Sequence, residues 1–362
     1  MQGRSPSDAV KAEVRGLSAY TLEHLAAEVK LDQNENSYEL PDDLKREIVE
    51  RVVRRSWGRY PEFIPAAVTK TLAEFTGWKE DGILVGNGSN ELIQAGLAVT
   101  LGPGRCIAIP QPTFTLYKLM SRVLEAKRIE VLLNPEDMSF DIDKLTVAAR
   151  KADVMVVCSP NNPTGTLMEK EHLVHLLKNV KGILMLDEAY HEFSGQTAVP
   201  LLDDHRNLVV LRTLSKAMAM AGLRFGYMMA HSEIAREVHK AKLPYNVNIF
   251  TLTAAETVIR NRQLLAAPIA AIVSERERVL AELRLRKGVK AFPSCANFIL
   301  MTSDLRVRKL FDGILSEGVL IRDVSAYPLL EKAIRVTIGR PEENNRFLAA
   351  LDKTLAQPLE KP

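Results

Sequence analysis

Short apolar runs recur through the middle of the chain, and stretches with helical spacing of apolar residues separate them. The runs cover residues 106–110, 129–133, 154–158, 183–187, 208–211 and 225–230. Near-continuous apolar runs are typical of strands that are buried on both faces of a sheet. Because such strands alternate here with helices, we expect an α/β fold with a mainly parallel sheet.

The two ends of the chain follow other patterns. Residues before Pro41 show little periodicity, whereas apolar residues between Leu44 and Val53 recur at helical spacing. Helical sequence continues to about residue 287, after which strands are predicted at 289–292, 298–301, 319–322 and 334–338, with helices at about 306–317 and 342–356. We therefore predict an N-terminal arm over residues 1–40, a large domain over 41–262 and a small C-terminal α+β domain over 263–362.

Composition narrows the class of protein. The 362 residues are 46% hydrophobic, and 48 basic against 45 acidic residues leave a net charge of +3. Such a chain can bury a large core, but it has no strong basic field, so we expect no nucleic-acid partner. Charged residues interrupt every apolar stretch before it could span a bilayer. We expect a soluble, cytoplasmic protein without a membrane partner.

Cysteines and histidines do not indicate a disulfide framework or a metal site. Cys106, Cys158 and Cys295 are odd in number and widely spaced, which favours reduced thiols in a reducing compartment. His172 and His175 are three positions apart on a predicted helix, but no third ligand lies near them in the sequence. We therefore predict no metal site.

Three successive predicted strands are each followed by polar residues. Asn162 follows the first strand, Asp187 and Tyr190 end the second, and Lys216 follows the third. The carboxyl ends of parallel strands meet at one edge of the sheet, where α/β folds bind their ligands. A lysine among small, apolar neighbours can lose its proton and form a Schiff base, although its head could also extend to water. The combination of residues suits pyridoxal 5'-phosphate (PLP).

A turn rich in glycine stands before another predicted helix. In the segment GNGSNE, which covers residues 86–91, Ser89 is the predicted N-cap. A helix start of this kind exposes backbone N–H groups to an anion, and glycine lets the chain approach it closely. Most such turns only begin helices, so this motif by itself leaves both interpretations open.

The chain resembles, nearly end to end, the fold-type-I PLP-dependent aminotransferases of class I/II, and within them the histidinol-phosphate aminotransferases. The resemblance rests on ten motifs in the right order. They are LDQNEN at 31–36, RYP at 59–61, GNGSNE at 86–91, PTFTLY at 112–117, SPNNPTG at 159–165, DEAY at 187–190, SK at 215–216, PYNVN at 244–248, NFIL at 297–300 and RVTIG at 335–339. The family usually continues NEN with Pro and Gly, whereas this chain has Ser37 and Tyr38.

The resemblance implies a role for each residue at the predicted strand ends. Lys216 would form the Schiff base with PLP and then move a proton between substrate and cofactor. Asp187 would keep the pyridine nitrogen protonated. Asn162 and Tyr190 would bind the phenolic oxygen, and the ring of Tyr117 would stack on the pyridine face.

The resemblance also implies how the cofactor phosphate and the subunits are arranged. Ser89, Asn90, Ser215 and Arg224 would bind the phosphate. Tyr60 would reach the same phosphate from a neighbouring subunit, which implies a homodimer with shared active sites.

Substrate recognition is implied for residues near both ends of the chain. Arg335, helped by Arg322, would bind the distal anion of the substrate. Three further residues would contribute to substrate binding, with Tyr20 reaching the site from the partner's arm: Tyr20, Asn36 and Tyr245.

The implied reaction is transamination of L-histidinol phosphate with 2-oxoglutarate, which gives imidazole acetol phosphate and L-glutamate in histidine biosynthesis. Other hypotheses stay open. An aromatic amino-acid aminotransferase is one, because Arg335 can bind a carboxylate as readily as a phosphate. A threonine-phosphate decarboxylase is another, since no residue decides which bond is cleaved. A regulator with an aminotransferase-like domain is the third, and we expect no spare segment for a DNA-binding module.

Overall fold

The computed structural model describes residues 5–17 and 25–356, which contain thirteen strands, thirteen α-helices and five short 3-10 helices. The strands are β1 Val29–Lys30, β2 Ile83–Gly86, β3 Cys106–Gln111, β4 Lys127–Leu132, β5 Val154–Cys158, β6 Ile183–Asp187, β7 Leu208–Thr213, β8 Gly226–Ala230, β9 Val289–Ala291, β10 Phe298–Ser303, β11 Val319–Leu320, β12 Arg322–Asp323 and β13 Ala333–Thr337. The longer predicted strands are therefore present within one or two residues of their expected ends.

Helices connect most of these strands. They are α1 Ala12–Arg15, α2 Asp42–Val53, α3 Ala66–Thr76, α4 Ser89–Thr100, α5 Thr115–Val123, α6 Ile142–Ala149, α7 Lys170–Asn179, α8 His191–Ser194, α9 Ser232–Ala241, α10 Ile249–Arg260, α11 Ala266–Arg284, α12 Val307–Ser316 and α13 Pro341–Leu355. Among the described residues, no helix is both long and apolar enough to cross a membrane.

Seven strands form the central sheet in the order β2-β8-β7-β6-β5-β3-β4. Neighbouring strands are parallel from β7 through β4, and β8 is antiparallel to both of its neighbours. The predicted α/β fold with a mainly parallel sheet is confirmed. The short strand β2 was not predicted, because its four residues end in glycine and are too few to establish a pattern.

Alternate residues of the central strands pack into two separate cores. Val154 and Val156 on β5 pack into a core that contains residues of α4 and α9. Met155 and Val157, which point the other way, pack into the core that contains residues of α6 and α7. Both faces of the sheet are therefore covered, and β5, β6 and β7 end at one shared edge.

A second, antiparallel sheet has the strand order β12-β13-β10-β9. The segment that precedes residue 41 joins this part of the molecule, because β1 pairs in parallel with β11. Leu31 continues the pairing: its N–H donates to the Leu320 carbonyl at 2.7 Å, and its carbonyl accepts from the Thr337 N–H at 2.9 Å. Part of the predicted arm therefore docks on the small sheet. The predicted division of the chain into domains stays a prediction.

Candidate active site

A cavity of about 420 Å³ lies at the carboxyl edge of the central sheet. The small sheet, the start of α4 and the segment that follows β1 complete its walls. The predicted site residues that line it are Ser89, Asn90, Asn162, Asp187, Tyr190, Ser215, Lys216, Arg224, Arg322 and Arg335. Tyr117, Asn36, Tyr60 and Tyr245 do not line it, and Tyr20 lies outside the described residues.

Lys216 follows β7 and places its amine inside the cavity. The Nζ atom donates a hydrogen bond to the Gln33 carbonyl at 2.9 Å and lies 5.8 Å from the centre of the Tyr190 ring. Removal from water, followed by the positive charge of Arg335, lowers the pKa of Lys216 to about 7. A substantial part of the amine is therefore unprotonated at neutral pH, which is the form that attacks a carbonyl or accepts a proton.

Asp187, at the end of β6, is 3% exposed. Its Oδ1 accepts from the Ala189 N–H at 3.1 Å and its Oδ2 from the Tyr117 hydroxyl at 2.7 Å. Burial is the largest cause that raises the pKa of Asp187 to about 6, and the Tyr117 hydrogen bond acts in the opposite direction. A cationic N–H group in the cavity would stabilise the ionised carboxylate.

The position of Tyr117 does not fit the predicted stacking role. Its side chain is 0% exposed, and its hydroxyl donates a hydrogen bond to Asp187 Oδ2 from outside the cavity. Phe114, three residues earlier, lines the cavity instead, and the two rings meet edge to face at 5.7 Å and 82°. Because α5 begins between them, the two aromatic residues of the motif point to different places. Phe114 replaces Tyr117 as the candidate stacking ring.

Tyr190 and Asn162 are each tied to another wall of the cavity. The Tyr190 hydroxyl accepts from Asn34 Nδ2 at 3.0 Å. Asn162 Oδ1 accepts from Arg335 Nη1 at 2.6 Å, and Arg335 Nη2 donates to the Asp32 carbonyl at 2.6 Å. The central sheet, the small sheet and the segment after β1 therefore meet through polar contacts at the site.

An anion-binding cup forms at the start of α4. Gly88 is the N-cap, with φ +78°, so Ser89 is the first helical residue and not the predicted cap. Across from it, Arg224 Nη1 donates to Ser215 Oγ at 3.2 Å. A Cβ atom at Gly88 would lie 2.6 Å from Arg224 Nη2, so glycine is what lets the guanidinium approach the helix. Backbone N–H groups, a hydroxyl and a guanidinium converge there, which suits a phosphate.

A second cationic region lies on the small sheet. Arg322 on β12 pairs in register with Arg335 on β13, and both line the cavity. Near them, Asp32 is 3% exposed, and among the described residues its Oδ1 has no hydrogen-bond partner. The cavity thus offers one anion-binding region on each sheet.

The NEN motif contributes to the site through a residue other than the predicted one. Asn36 Nδ2 donates to the Ala217 carbonyl at 3.0 Å, and its Oδ1 accepts from the Tyr38 N–H at 2.9 Å. Both contacts fix the backbone, and Asn36 does not fit the substrate-binding role predicted for it. Asn34 lines the cavity in its place. The sequence did not indicate Asp32, Gln33 or Asn34 as wall residues, because this segment has no periodicity.

Exposed aromatic rings form a surface cluster away from the cavity of their own chain. Tyr60 and Tyr245, exposed by 83% and 43%, stack with their ring centres 4.7 Å apart. Phe63 meets Tyr245 edge to face at 5.7 Å. Large exposed aromatic clusters mark sites of protein association. Within residues 5–17 and 25–356, no group of three or more His, Cys, Asp or Glu side chains is arranged to hold a metal ion.

Comparison with known proteins decides the family. The profile named "Aminotransferase class I and II" matches residues 26–351. The chain belongs to the class I and II aminotransferases. A histidinol-phosphate aminotransferase from Chlorobaculum tepidum is 38% identical, over 90% of this chain and 94% of that protein. The predicted enzyme class is therefore confirmed.

Solved structures of other proteins agree with this assignment. The histidinol-phosphate aminotransferase from Clostridium acetobutylicum has a TM-score of 0.84 and 27% identity, and the match covers 90% of this chain and 98% of that chain. The L-threonine-O-3-phosphate decarboxylase from Porphyromonas gingivalis has a TM-score of 0.80 and 26% identity, over 91% of this chain and all 100% of that chain. Closely similar folds therefore carry out more than one reaction.

Aminotransferases of class I and II depend on PLP, so PLP is the cofactor, as predicted. The donor set in the cavity fits this molecule. A buried carboxylate suits the ring nitrogen, an amine with a lowered pKa suits the aldehyde, and the cup at α4 suits the phosphate. Phe114 provides an apolar ring at the wall for the pyridine face.

Proposed function

We propose that this aminotransferase transfers the amino group of L-histidinol phosphate to 2-oxoglutarate, which gives imidazole acetol phosphate and L-glutamate, a step of histidine biosynthesis. The observation that carries the proposal is the second cationic region, Arg322 and Arg335, which lines the cavity from the small sheet and is separate from the cup at α4. This region remains available for an anion of the substrate when the phosphate of PLP occupies the cup. Relatives that are 35–38% identical are named histidinol-phosphate aminotransferase, which supports this substrate.

Each wall residue has a proposed task. Bound PLP supplies an electron sink that stabilises negative charge on the substrate carbon. Asp187 accepts a hydrogen bond from the ring nitrogen and keeps it protonated, while Asn162 and Tyr190 bind the phenolic oxygen. Unprotonated Lys216 would hold the cofactor through its aldehyde carbon and, once the substrate amine has displaced it, would take the proton from the substrate carbon. The pKa of about 7 supports this last task, because the free base is available at neutral pH.

The phosphate of PLP is assigned to the cup. Backbone N–H groups at Ser89 and Asn90 point outward from the first turn of α4 and have no helical acceptor. Ser215 and Arg224 face them, already joined by their own hydrogen bond. A phosphate bound there would meet preorganised donors and one fixed cation, so little ordering would accompany binding.

Two wall residues account for the anion of the substrate. Arg335 and Arg322 bind the phosphate of histidinol phosphate, and in the other half of the reaction they bind the distal carboxylate of glutamate.

We also propose a homodimer with shared active sites. The exposed rings of Tyr60, Phe63 and Tyr245 support it, because they form an apolar surface that a second copy of the chain can cover. In this arrangement Tyr60 and Tyr245 complete the partner's cavity. Tyr20 has the same proposed task. The three free cysteines support a location in the cytoplasm.

A threonine-phosphate decarboxylase is the second candidate, because the Porphyromonas gingivalis enzyme of that name has the same fold at 26% identity. Steady-state assays distinguish the two. We expect glutamate to form from histidinol phosphate and 2-oxoglutarate, with kcat/KM at least about tenfold above that for phenylalanine. We expect no carbon dioxide from threonine phosphate. Release of carbon dioxide without glutamate formation would select the decarboxylase.

A further inference from the structure

The hydroxyl of Tyr117 contacts the Asp187 carboxylate from outside the cavity. The donor and acceptor oxygens are 2.7 Å apart, and the Tyr117 side chain is 0% exposed. Tyr117 does not line the cavity, so it cannot touch a ligand bound there. Any effect of this hydroxyl on bound PLP must pass through Asp187.

The two oxygens of Asp187 have one fixed donor each. Oδ1 accepts from the Ala189 N–H and Oδ2 from Tyr117. Two donors on different oxygens fix the rotation of the carboxylate plane, and one further lone pair on each oxygen remains for the cavity side. Among the described residues, Tyr117 is the donor to Oδ2, so its loss leaves that oxygen without a protein partner.

Tyr117 is itself held firmly. It is one turn after Phe114 on α5, and it packs into the core beside Leu92, Ile107 and Ile109. Burial, followed by the charge of Asp187, raises the pKa of Tyr117 well above its usual value. The hydroxyl therefore stays protonated, and it donates to Asp187 over the whole working range of pH.

We propose that Tyr117 is a positioning residue that holds the Asp187 carboxylate in the orientation in which it meets the ring nitrogen of PLP. This rests on the proposed role of Asp187. The motif PTFTLY then has two separate tasks within one turn of helix: Phe114 forms the cavity wall, and Tyr117 orients the acid behind it. Because the hydroxyl favours the ionised carboxylate and fixes its orientation, we expect its removal to lower the affinity for a cationic ring about tenfold.

The test is the substitution Tyr117→Phe, which keeps the ring and removes the hydroxyl. The affinity of the apoenzyme for PLP is measured by absorption between pH 5 and pH 8. We expect the dissociation constant at pH 7.5 to rise about tenfold. Because the lost hydrogen bond favoured ionised Asp187, we also expect the acidic loss of affinity to begin at higher pH than in the wild type.

Tyr227→Phe is the matched control. Tyr227 is also buried, and its hydroxyl accepts from Arg212 at 3.5 Å in a polar network with Glu188 and Thr197, in which neither Tyr227 nor Arg212 donates to Asp187. A general effect of losing a buried hydroxyl would appear equally in both variants and would overturn the proposal. If Tyr117→Phe binds PLP as tightly as the wild type and Tyr227→Phe do, the positioning role of Tyr117 is wrong. That result leaves the proposed function of the enzyme unaffected.

A double-mutant cycle shows whether the effect passes through Asp187. We expect Tyr117→Phe to weaken PLP binding in the wild type and to add little to Asp187→Asn, whose side chain has already lost its charge. Additive effects would contradict the proposal. If the wild type does not bind PLP, the proposed function itself is wrong. The experiment therefore distinguishes an error in the positioning role from an error in the proposed function.

Discussion

The lowered pKa of Lys216 is the property of a single residue on which the proposed chemistry depends. Burial beneath the segment after β1 removes this amine from water, and Arg335 adds positive charge near it. Burial and the positive charge both favour the neutral amine, and the neutral amine is the nucleophile. Residues that are distant in the sequence therefore set the reactivity of the lysine.

The rate of covalent capture of PLP by the apoenzyme should reflect this pKa. The unprotonated fraction of Lys216 increases as the pH rises through about 7, so the rate should increase over the same range and level off above it. Stopped-flow absorption measures the rate. A midpoint near pH 10, close to the usual value for lysine, would contradict the lowered pKa.

Lys216→Ala provides the matching control. The variant should fold and bind PLP without a covalent link, because the cup and Asp187 are unchanged. Borohydride reduction followed by mass spectrometry should show the cofactor attached to the wild type and absent from the variant. Turnover should decrease by at least about 10³-fold.

The start of α4 shows, at the scale of an element, how backbone geometry makes a binding site. Gly88 has a positive φ and also lies against the guanidinium of Arg224. Two requirements therefore coincide at one residue: a conformation that glycine adopts without strain, and space for a cation beside the helix N-terminus.

The substitution Gly88→Ala should weaken PLP binding in addition to lowering the thermal stability of the protein. Its new Cβ would lie 2.6 Å from Arg224 Nη2 and displace that group from the cup. Gly77→Ala is the control, since Gly77 has a similar φ of +73° at the end of α3 but nothing within 4 Å of its Cβ position. We expect both variants to lose thermal stability, and Gly88→Ala to lose more, because its ψ of 161° lies in a region that only glycine adopts readily whereas Gly77 has a ψ of 8°. We expect the PLP dissociation constant to rise about tenfold only for Gly88→Ala. Equal affinities would show that Arg224 is not needed at the cup.

Periodicity predicted the elements that carry the site better than it predicted the contacts between them. The ends of β5, β6 and β7 were predictable because long apolar runs precede Asn162, Asp187 and Lys216. The resemblance supplied the cup and the arginines. The stacking role was assigned to Tyr117 and none was assigned to Phe114, because only the observed start of α5 shows which ring faces the cavity. Asp32 was missed because its burial depends on pairing between β1 and β11.

At the scale of the whole molecule, the cavity lies between two sheets, and each sheet provides one anion-binding region. The aromatic cluster of Tyr60, Phe63 and Tyr245 lies outside that cavity. A dimer in which this cluster faces the partner's cavity would explain why so much aromatic surface is exposed on one chain.

Complementation tests the shared site. Lys216→Ala and Tyr60→Ala are each expected to give weakly active homodimers, but a mixed dimer would have one cavity with both defects and one with neither. After unfolding and refolding an equal mixture, about a quarter of the wild-type activity should return, since half of the dimers are mixed and each has one intact cavity. Activity no greater than the mean of the two homodimers would contradict sharing of Tyr60.

The central claim concerns the substrate, and a titration of the wild-type enzyme tests it most directly. The visible absorption of bound PLP is followed during addition of L-histidinol phosphate, or of L-phenylalanine in a separate sample, with no keto acid present. We predict that histidinol phosphate depletes the band at low concentration and that phenylalanine at the same concentration leaves it unchanged, because Arg322 and Arg335 together match a phosphate dianion. An equal or larger response to phenylalanine would contradict the proposed substrate.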